Sequence, residues 1–275
     1  MFWQTTRFRI DLSRPRVMGI VNVTPDSFSD GGRFSDASAG AAHCEQLLKE
    51  GADILDIGGE SSRPGAAPVS VEDELARVMP VLTEALQLGC PVSLDTAKPE
   101  VMQRALDLGV DIINDIQALR APSAVDCVAA HPGCGVCLMH MQGEPRSMQA
   151  APTYDDLLST VRSFLAERTQ VLLNAGIAAE RIVLDPGYGF GKTVDHNLEL
   201  FRRQRELMVL GRPLLAGWSR KSTLGVLTGR GPGERLVPSV AAALAAVQHG
   251  ASIVRVHDVA ATVDALKVWS AAGLA

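Results

Sequence analysis

Asn22, Asp56, Asp95, Asn114 with Asp115, His140, Asp185, Ser219 to Lys221, and Arg255 with His257 share one feature. Each stands at the end of a short apolar run or just after it. Carboxylates and amides can accept or donate in pairs, and lysine, arginine and histidine can hold an anion. A carboxylate near a buried strand is costly unless paired or hydrogen-bonded, so such residues tend to serve a purpose. For any single one, capping a helix or tying strand ends together is an equal alternative. Asp56 reads as the most structural, because Glu60 and Arg63 follow it closely.

The stretch around Asp185, LDPGYGFGKT at 184–193, imitates a phosphate-binding loop. That loop needs Gly, four residues, then Gly-Lys-Ser/Thr, so that successive N–H groups curl around a phosphate. Counting back from Gly191-Lys192-Thr193 puts Pro186 at the first glycine, and proline has no N–H. The Asp185 carboxylate would also repel a phosphate. The segment is a strand end carrying a carboxylate, not a nucleotide cradle.

The apolar, β-branched runs lie at 17–23, 53–58, 91–95, 111–115, 135–140, 181–185, 213–219 and 252–258. They are polar only at their ends, which suits parallel strands buried on both faces. Helical patterns occupy 38–50, 71–88, 98–108, 154–175, 195–210, 236–249 and 259–271. The alternation predicts an α/β chain and, from its strand count, a single-domain (β/α)₈ TIM barrel. An open doubly wound sheet would gather its ligand at one switch point, with Gly-x-Gly-x-x-Gly after the first strand. Here that fingerprint is missing and candidates sit at every strand end. Residues 1–16 are expected to form a short lead-in over the closed end, with the barrel over 17–275. The long connections 24–36 and 59–70 read as lids or binding loops, carrying Phe28 and Arg63 respectively.

Composition narrows the function classes. With aromatics at 4% and a net charge of −5, the chain lacks the stacking surface and basic face of a nucleic-acid binder. No apolar run approaches the roughly 18 residues of a membrane span, and the N-terminus lacks a signal-peptide core. Five cysteines, an odd number, fit reduced thiols and a cytoplasmic location. Cys134 and Cys137 form the only Cys-x-x-Cys, have no second ligand pair and read as buried thiols.

The segments MGIVNVTPDSFSDGG, GADILDIGGESSRPGA, SLDTAKPEV, DIINDI, MHMQGEPRSMQ, LDPGYGFGKT, GWSRKS and VRVHDV occur in this order. Together they resemble the dihydropteroate synthases over about Val17 to Val259. The resemblance implies a barrel that joins 6-hydroxymethyl-7,8-dihydropterin pyrophosphate to 4-aminobenzoate with release of pyrophosphate. It further implies a Mg²⁺ requirement, a homodimer and competition by sulfonamides. Pterin would be bound by Asp95, Asn114, Met139, Asp185, Gly217, Lys221 and Arg255, with the Arg255 guanidinium stacked on the ring. The 4-aminobenzoate would touch Phe28, Ser62, Pro64, Gly189 and Phe190, its carboxylate facing Ser222. Pyrophosphate would be held by Asn22, Arg63, Arg255 and His257, with Asn22 as the protein ligand of Mg²⁺. Arg63, Lys221, Arg255 and His257 would carry the catalysis.

The resemblance implies loss of pyrophosphate followed by capture of a pterin-stabilised cation, since an arylamine needs no strong base. Ser62 stands where the family commonly has threonine, which keeps the hydroxyl and removes a methyl. A pterin-binding methyltransferase of the same barrel, or a non-catalytic pterin-binding paralogue, are the alternatives. The apolar stretch 239–251 could supply a dimer face or could be barrel packing.

Overall fold

The computed structural model describes residues 1–24, 33–62, 65–145 and 147–274, with only the backbone for 33–37. A hairpin of β1 (Phe2–Gln4) and β2 (Arg9–Asp11) precedes the first barrel strand, β3 (Arg16–Asn22). Then come α1 (Arg33–Lys49), β4 (Ile54–Gly58), α2 (Val71–Ala85), β5 (Val92–Asp95), α3 (Pro99–Leu108) and β6 (Ile112–Asp115). The middle comprises α4 (Ala124–Ala129), β7 (Gly135–Met139), α5 (Leu157–Asn174), β8 (Ile182–Asp185) and α6 (Val194–Arg202). Last are β9 (Leu214–Ala216), α7 (Ser222–Thr228), α8 (Leu236–Gln248), β10 (Ala251–Val256) and α9 (Val259–Ala271). Strands β3 to β10 close into a barrel, and all its pairings are parallel.

Alternation along the strands explains how the barrel presents its site. Met18, Ile54, Ile112, Cys137, Val183, Leu215 and Ile253 form one apolar cluster with Trp3, Ile10 and Leu12 of the hairpin. Side chains two apart share a strand face. The next inward positions are therefore Asp56 above Ile54, Asn114 above Ile112, Met139 above Cys137 and Asp185 above Val183. Gly217 and Arg255 stand likewise above Leu215 and Ile253. An apolar floor thus carries a polar rim at the C-terminal end, where barrel enzymes build their sites.

The hairpin is the expected lead-in. Trp3, buried, donates from Nε1 to the Arg181 carbonyl at 2.9 Å and seals the N-terminal end. Arg7 adds a knot: its guanidinium pairs with Asp111 at 2.6 Å and donates to the Leu86 and Cys90 carbonyls. Asp111 is buried and also accepts from the Arg7 and Val92 N–H groups. Asp111→Ala should lower the unfolding free energy by about 3 kcal/mol in urea titration, as expected for a broken buried pair. Turnover at low denaturant should be unchanged, because the knot lies at the opposite end from the rim.

Two elements and one residue differ from expectation. The fourth connection contains α4, six residues long and too short to show a helical period. The single helix expected over 195–210 is α6 followed by 3₁₀ turns at Gln204–Leu210. Gln204 is buried there, accepts from the Tyr188 hydroxyl and donates to the Ala246 and His249 carbonyls, which holds the tighter path. Asp115 does not join the rim: its oxygens accept from the Gln117 and Leu119 N–H groups at 2.7 Å. All five cysteines are buried and unpaired, Cys134 and Cys137 included.

Candidate active site

The rim residues converge through hydrogen bonds between distant strands. Arg255 on β10 donates from Nε to Asp56 Oδ2 on β4 at 2.5 Å and from Nη2 to Asp95 Oδ2 on β5 at 2.7 Å. Asn114 on β6 donates from Nδ2 to the same Asp56 oxygen at 3.2 Å. Across the rim, Asp185 Oδ1 accepts the Gly187 N–H at 2.7 Å. Lys221 donates to the Tyr188 carbonyl, and its ammonium lies 4.5 Å from the centre of the Phe190 ring. Met139 clusters with Met141 and Met148, with Phe190 packed against them, so an apolar wall borders the polar edge. One rim thus offers carboxylate acceptors, an amide, two cations and an apolar face, the elements of a site for a flat polar ring.

Burial tunes the charged groups. It raises Asp185 above its ordinary value, while Lys221 and the Gly187 N–H pull it back. Asp95 is raised by burial against the pull of Arg255. Burial lowers Lys221 to about 8, with Asp185 opposing the shift. Arg255 feels burial in the opposite sense, but Asp56 and Asp95 outweigh it and hold it fully protonated.

Residues 18–257 match the pterin binding enzyme family. The dihydropteroate synthase of Neisseria meningitidis serogroup B is 57% identical over 278 residues, covering 99% of this chain and 98% of that protein. The chain belongs to the dihydropteroate synthases. A solved dihydropteroate synthase of Xanthomonas albilineans in complex with 7,8-dihydropteroate superposes with a TM-score of 0.91 at 49% identity, covering 99% of each chain. That of Yersinia pestis with a sulfonamide drug complex gives 0.94 at 45% identity, covering 100% of both.

The family's glycine-rich stretch after β8 is held from several sides. Gly187 has φ +72°, and a Cβ there would overlap the His140 carbonyl oxygen. At Gly189, φ +80°, a Cβ would meet Lys221 Cδ at 3.0 Å, so glycine lets the loop lie against the lysine. Lys192, the imitation P-loop lysine, is buried; its ammonium reaches His140 Nδ1 at 2.9 Å and the Gly187 and Phe190 carbonyls at 2.9 and 3.0 Å. It ties the loop down from behind. His140, a strand-end candidate, belongs to this knot; burial and Lys192 lower it to about 2, so it is neutral.

Beyond β9, Arg220 adopts φ 58°, donates its N–H to Ser239 Oγ at 2.9 Å and pairs with Asp258 at 2.6 Å. That turn sets Lys221 at the rim and places Ser222, exposed, as the first residue of α7. His257 Nδ1 lies 3.0 Å from Ser219 Oγ, and its backbone N–H donates to the same hydroxyl. Asn22 ends β3, and Ser62 is half-buried in the connection after β4. Phe28, Arg63 and Pro64 lie outside the described residues.

One reading changes. Asp56, expected to be the most structural of the set, forms no tie with Glu60, whose carboxylate meets Lys98 and accepts the Val69 N–H; it accepts from Arg255 instead. It is a rim residue, and its place above Ile54 in the strand alternation was the signal for it. Lys192 was missed, and Arg220 was named only as part of the Ser219 to Lys221 run, because their roles are loop geometry, which no spacing reveals. Among the described residues, no group of three or more His, Cys, Asp or Glu could cage a metal ion. The Asn22 amide is a hard oxygen donor, which fits an ion that keeps most of its waters and leans on substrate phosphate, as Mg²⁺ does.

Proposed function

We infer that this chain condenses 6-hydroxymethyl-7,8-dihydropterin pyrophosphate with 4-aminobenzoate, giving 7,8-dihydropteroate and pyrophosphate in folate biosynthesis. It is a transferase. The observation that carries this is the convergence of Asp95, Asn114, Asp185, Lys221 and Arg255 on one barrel rim beside Met139 and Phe190, in a chain 57% identical to a dihydropteroate synthase.

In this reading Asp185 accepts two N–H groups of the pterin edge as a fork, and Asp95 and Asn114 take the remainder. Lys221 donates to the ring carbonyl or a ring nitrogen, and the Arg255 plane stacks on the ring. The bond between the pterin methylene and pyrophosphate breaks, its electron pair leaving with the phosphate oxygen. The arylamine nitrogen then bonds to that carbon and gives up a proton. Arg63 and His257 would stabilise charge on the leaving group. Asn22 would hold Mg²⁺, which when bound would supply partial neutralisation of the same charge. The loop carrying Gly189 and Phe190 borders the aminobenzoate, with Ser62, Phe28 and Pro64 on the other side, and Ser222 faces its carboxylate. Sulfonamides would compete there.

Pyrophosphate release from the dihydropterin substrate with Mg²⁺, measured with and without 4-aminobenzoate, tests the assignment. Dihydropteroate formed only with aminobenzoate supports it. Pterin binding without turnover would make the chain a binding protein. Binding of 6-hydroxymethylpterin should weaken as pH rises through about 8, where Lys221 loses its proton. Fluorescence titration across this range should place the alkaline limb higher in Lys221→Arg, which stays charged; the ligand's own titration is common to both proteins.

A homodimer completes the reading. The stretch 239–251 mostly packs inward, burying Ser239, Ala242, Ala243 and Ala246. Exposed apolar residues gather instead on α7 and at the start of α8: Val226, Leu227, Leu236 and Val237. Val237→Glu should shift the mass in light scattering toward the monomer. No helix among the described residues is long and apolar enough to cross a membrane. Unpaired thiols fit a cytoplasmic enzyme.

A further inference from the structure

Asp56 is fully buried, yet only one of its oxygens is satisfied: Oδ2 takes both Arg255 Nε and Asn114 Nδ2. Oδ1 has no hydrogen-bond partner among the described residues, and neither has Ser93 Oγ, its registered neighbour on β5. A carboxylate kept only to stabilise the barrel would not be left half-satisfied, because an orphaned buried acceptor costs stability. Its geometry points to another task. Arg255 splits its guanidinium between two carboxylates, Nε to Asp56 and Nη2 to Asp95 Oδ2. Without Asp56, the guanidinium is free to turn and meet Asp95 as a two-pronged pair, the arrangement arginine and carboxylate favour. Both Asp95 oxygens would then be consumed, and the guanidinium plane would be reset. Asn114 would lose the acceptor that orients its amide.

We propose that Asp56 is a positioning residue for the pterin half of the site. It fixes the plane of Arg255, keeps an Asp95 oxygen available to the ligand, and sets which way Asn114 presents its amide. The inference rests on the synthase reading for the ligand's identity, not for the geometry.

The test is binding of 6-hydroxymethylpterin, followed by quenching of its fluorescence, to the parent and to Asp56→Asn. The dissociation constant should rise about tenfold or more, while KM for 4-aminobenzoate stays within about twofold, since only the pterin contacts are displaced. The same change in an Arg255→Ala background should cost clearly less pterin affinity than in the parent, the part that remains being the loss of the acceptor for Asn114, because residues that act through one another are not additive. Asp56→Ser serves as the second variant if the asparagine form does not fold. Unchanged affinity in a folded Asp56 variant overturns the proposal. So does an equal loss in both backgrounds, which marks a general structural role. A parent that binds the pterin but does not turn over removes the synthase reading and leaves the Asp56 comparison intact; a parent that binds no pterin overturns both.

Discussion

Arg255→Ala should lower kcat/KM for the dihydropterin substrate by about 10³-fold or more, a loss of about 4 kcal/mol in transition-state binding. It should also lower the unfolding free energy by about 3 kcal/mol, because breaking a buried pair strands its partner. The partners here are Asp56 and Asp95, held at 2.5 and 2.7 Å. Two effects therefore coincide, and pH separates them. Asp95 is already raised by burial, and Arg255 is the largest influence pulling it down. In the alanine variant that pull is gone, so Asp95 rises further and is more often protonated near neutrality. A carboxyl raised in the folded state contributes stability that is full below its unfolded value and lost as pH rises through its folded value. The variant's stability deficit should thus widen between acid and mildly alkaline pH, seen as urea midpoints. Its pterin affinity should move the other way and partly recover as Asp95 ionises. Opposite slopes would assign the loss to Asp95; parallel slopes would mean that the catalytic defect is only a folding defect. Arg255→Lys should resemble alanine more than the parent in affinity, since an ammonium cannot bridge the two carboxylates in one plane.

Much of this was legible because a barrel strand writes its inner face at every second residue. Ile54 and Asp56, Ile112 and Asn114, Val183 and Asp185, and Ile253 and Arg255 are all floor-and-rim pairs, so strand ends rich in polar residues marked the site. The same logic could not choose for Asp115 and His140, where the structural alternative holds. A side chain at a strand end faces either the rim or the surrounding helices, and one residue of uncertainty in the boundary reverses the choice. Asp115 turns out to the Gln117 and Leu119 N–H groups, and His140 to Lys192. Pairings were less visible than positions. Glu60, four residues beyond Asp56, meets Lys98, whereas the cation that pairs with Asp56 is Arg255, 199 residues away. Sequence proximity favours local ion pairs, and barrel closure favours distant ones. α4 escaped for a plainer reason: six residues are too few for a period to register.

Asp185→Asn should abolish most pterin affinity, by about 10³-fold or more, and leave the protein slightly more stable at neutral pH. The two halves have separate causes. A carboxylate offers acceptors to both N–H groups of the pterin edge. An asparagine offers one acceptor and one NH₂, which faces the second N–H donor to donor, and sites built on matched polar groups discriminate by such factors. Stability should move the other way because burial raises Asp185 in spite of Lys221 and the Gly187 N–H, so the anion is held at a cost. That stability is present below the unfolded value of 3.8 and lost as pH rises through the raised folded value. The parent should therefore approach the variant near pH 4 and fall below it at pH 7, in paired urea titrations. The carbonyl oxygen of the substituted side chain can still accept the Gly187 N–H, 2.7 Å from Oδ1 in the parent, so the loop should keep its place. A variant less stable than the parent at pH 7 would mean that Asp185 holds its position by anchoring the 186–191 loop through its charge. The pterin assignment would then have to rest on Asp95 and Asn114. A more stable variant that no longer binds pterin would identify Asp185 as a group kept for the ligand against the interest of the fold.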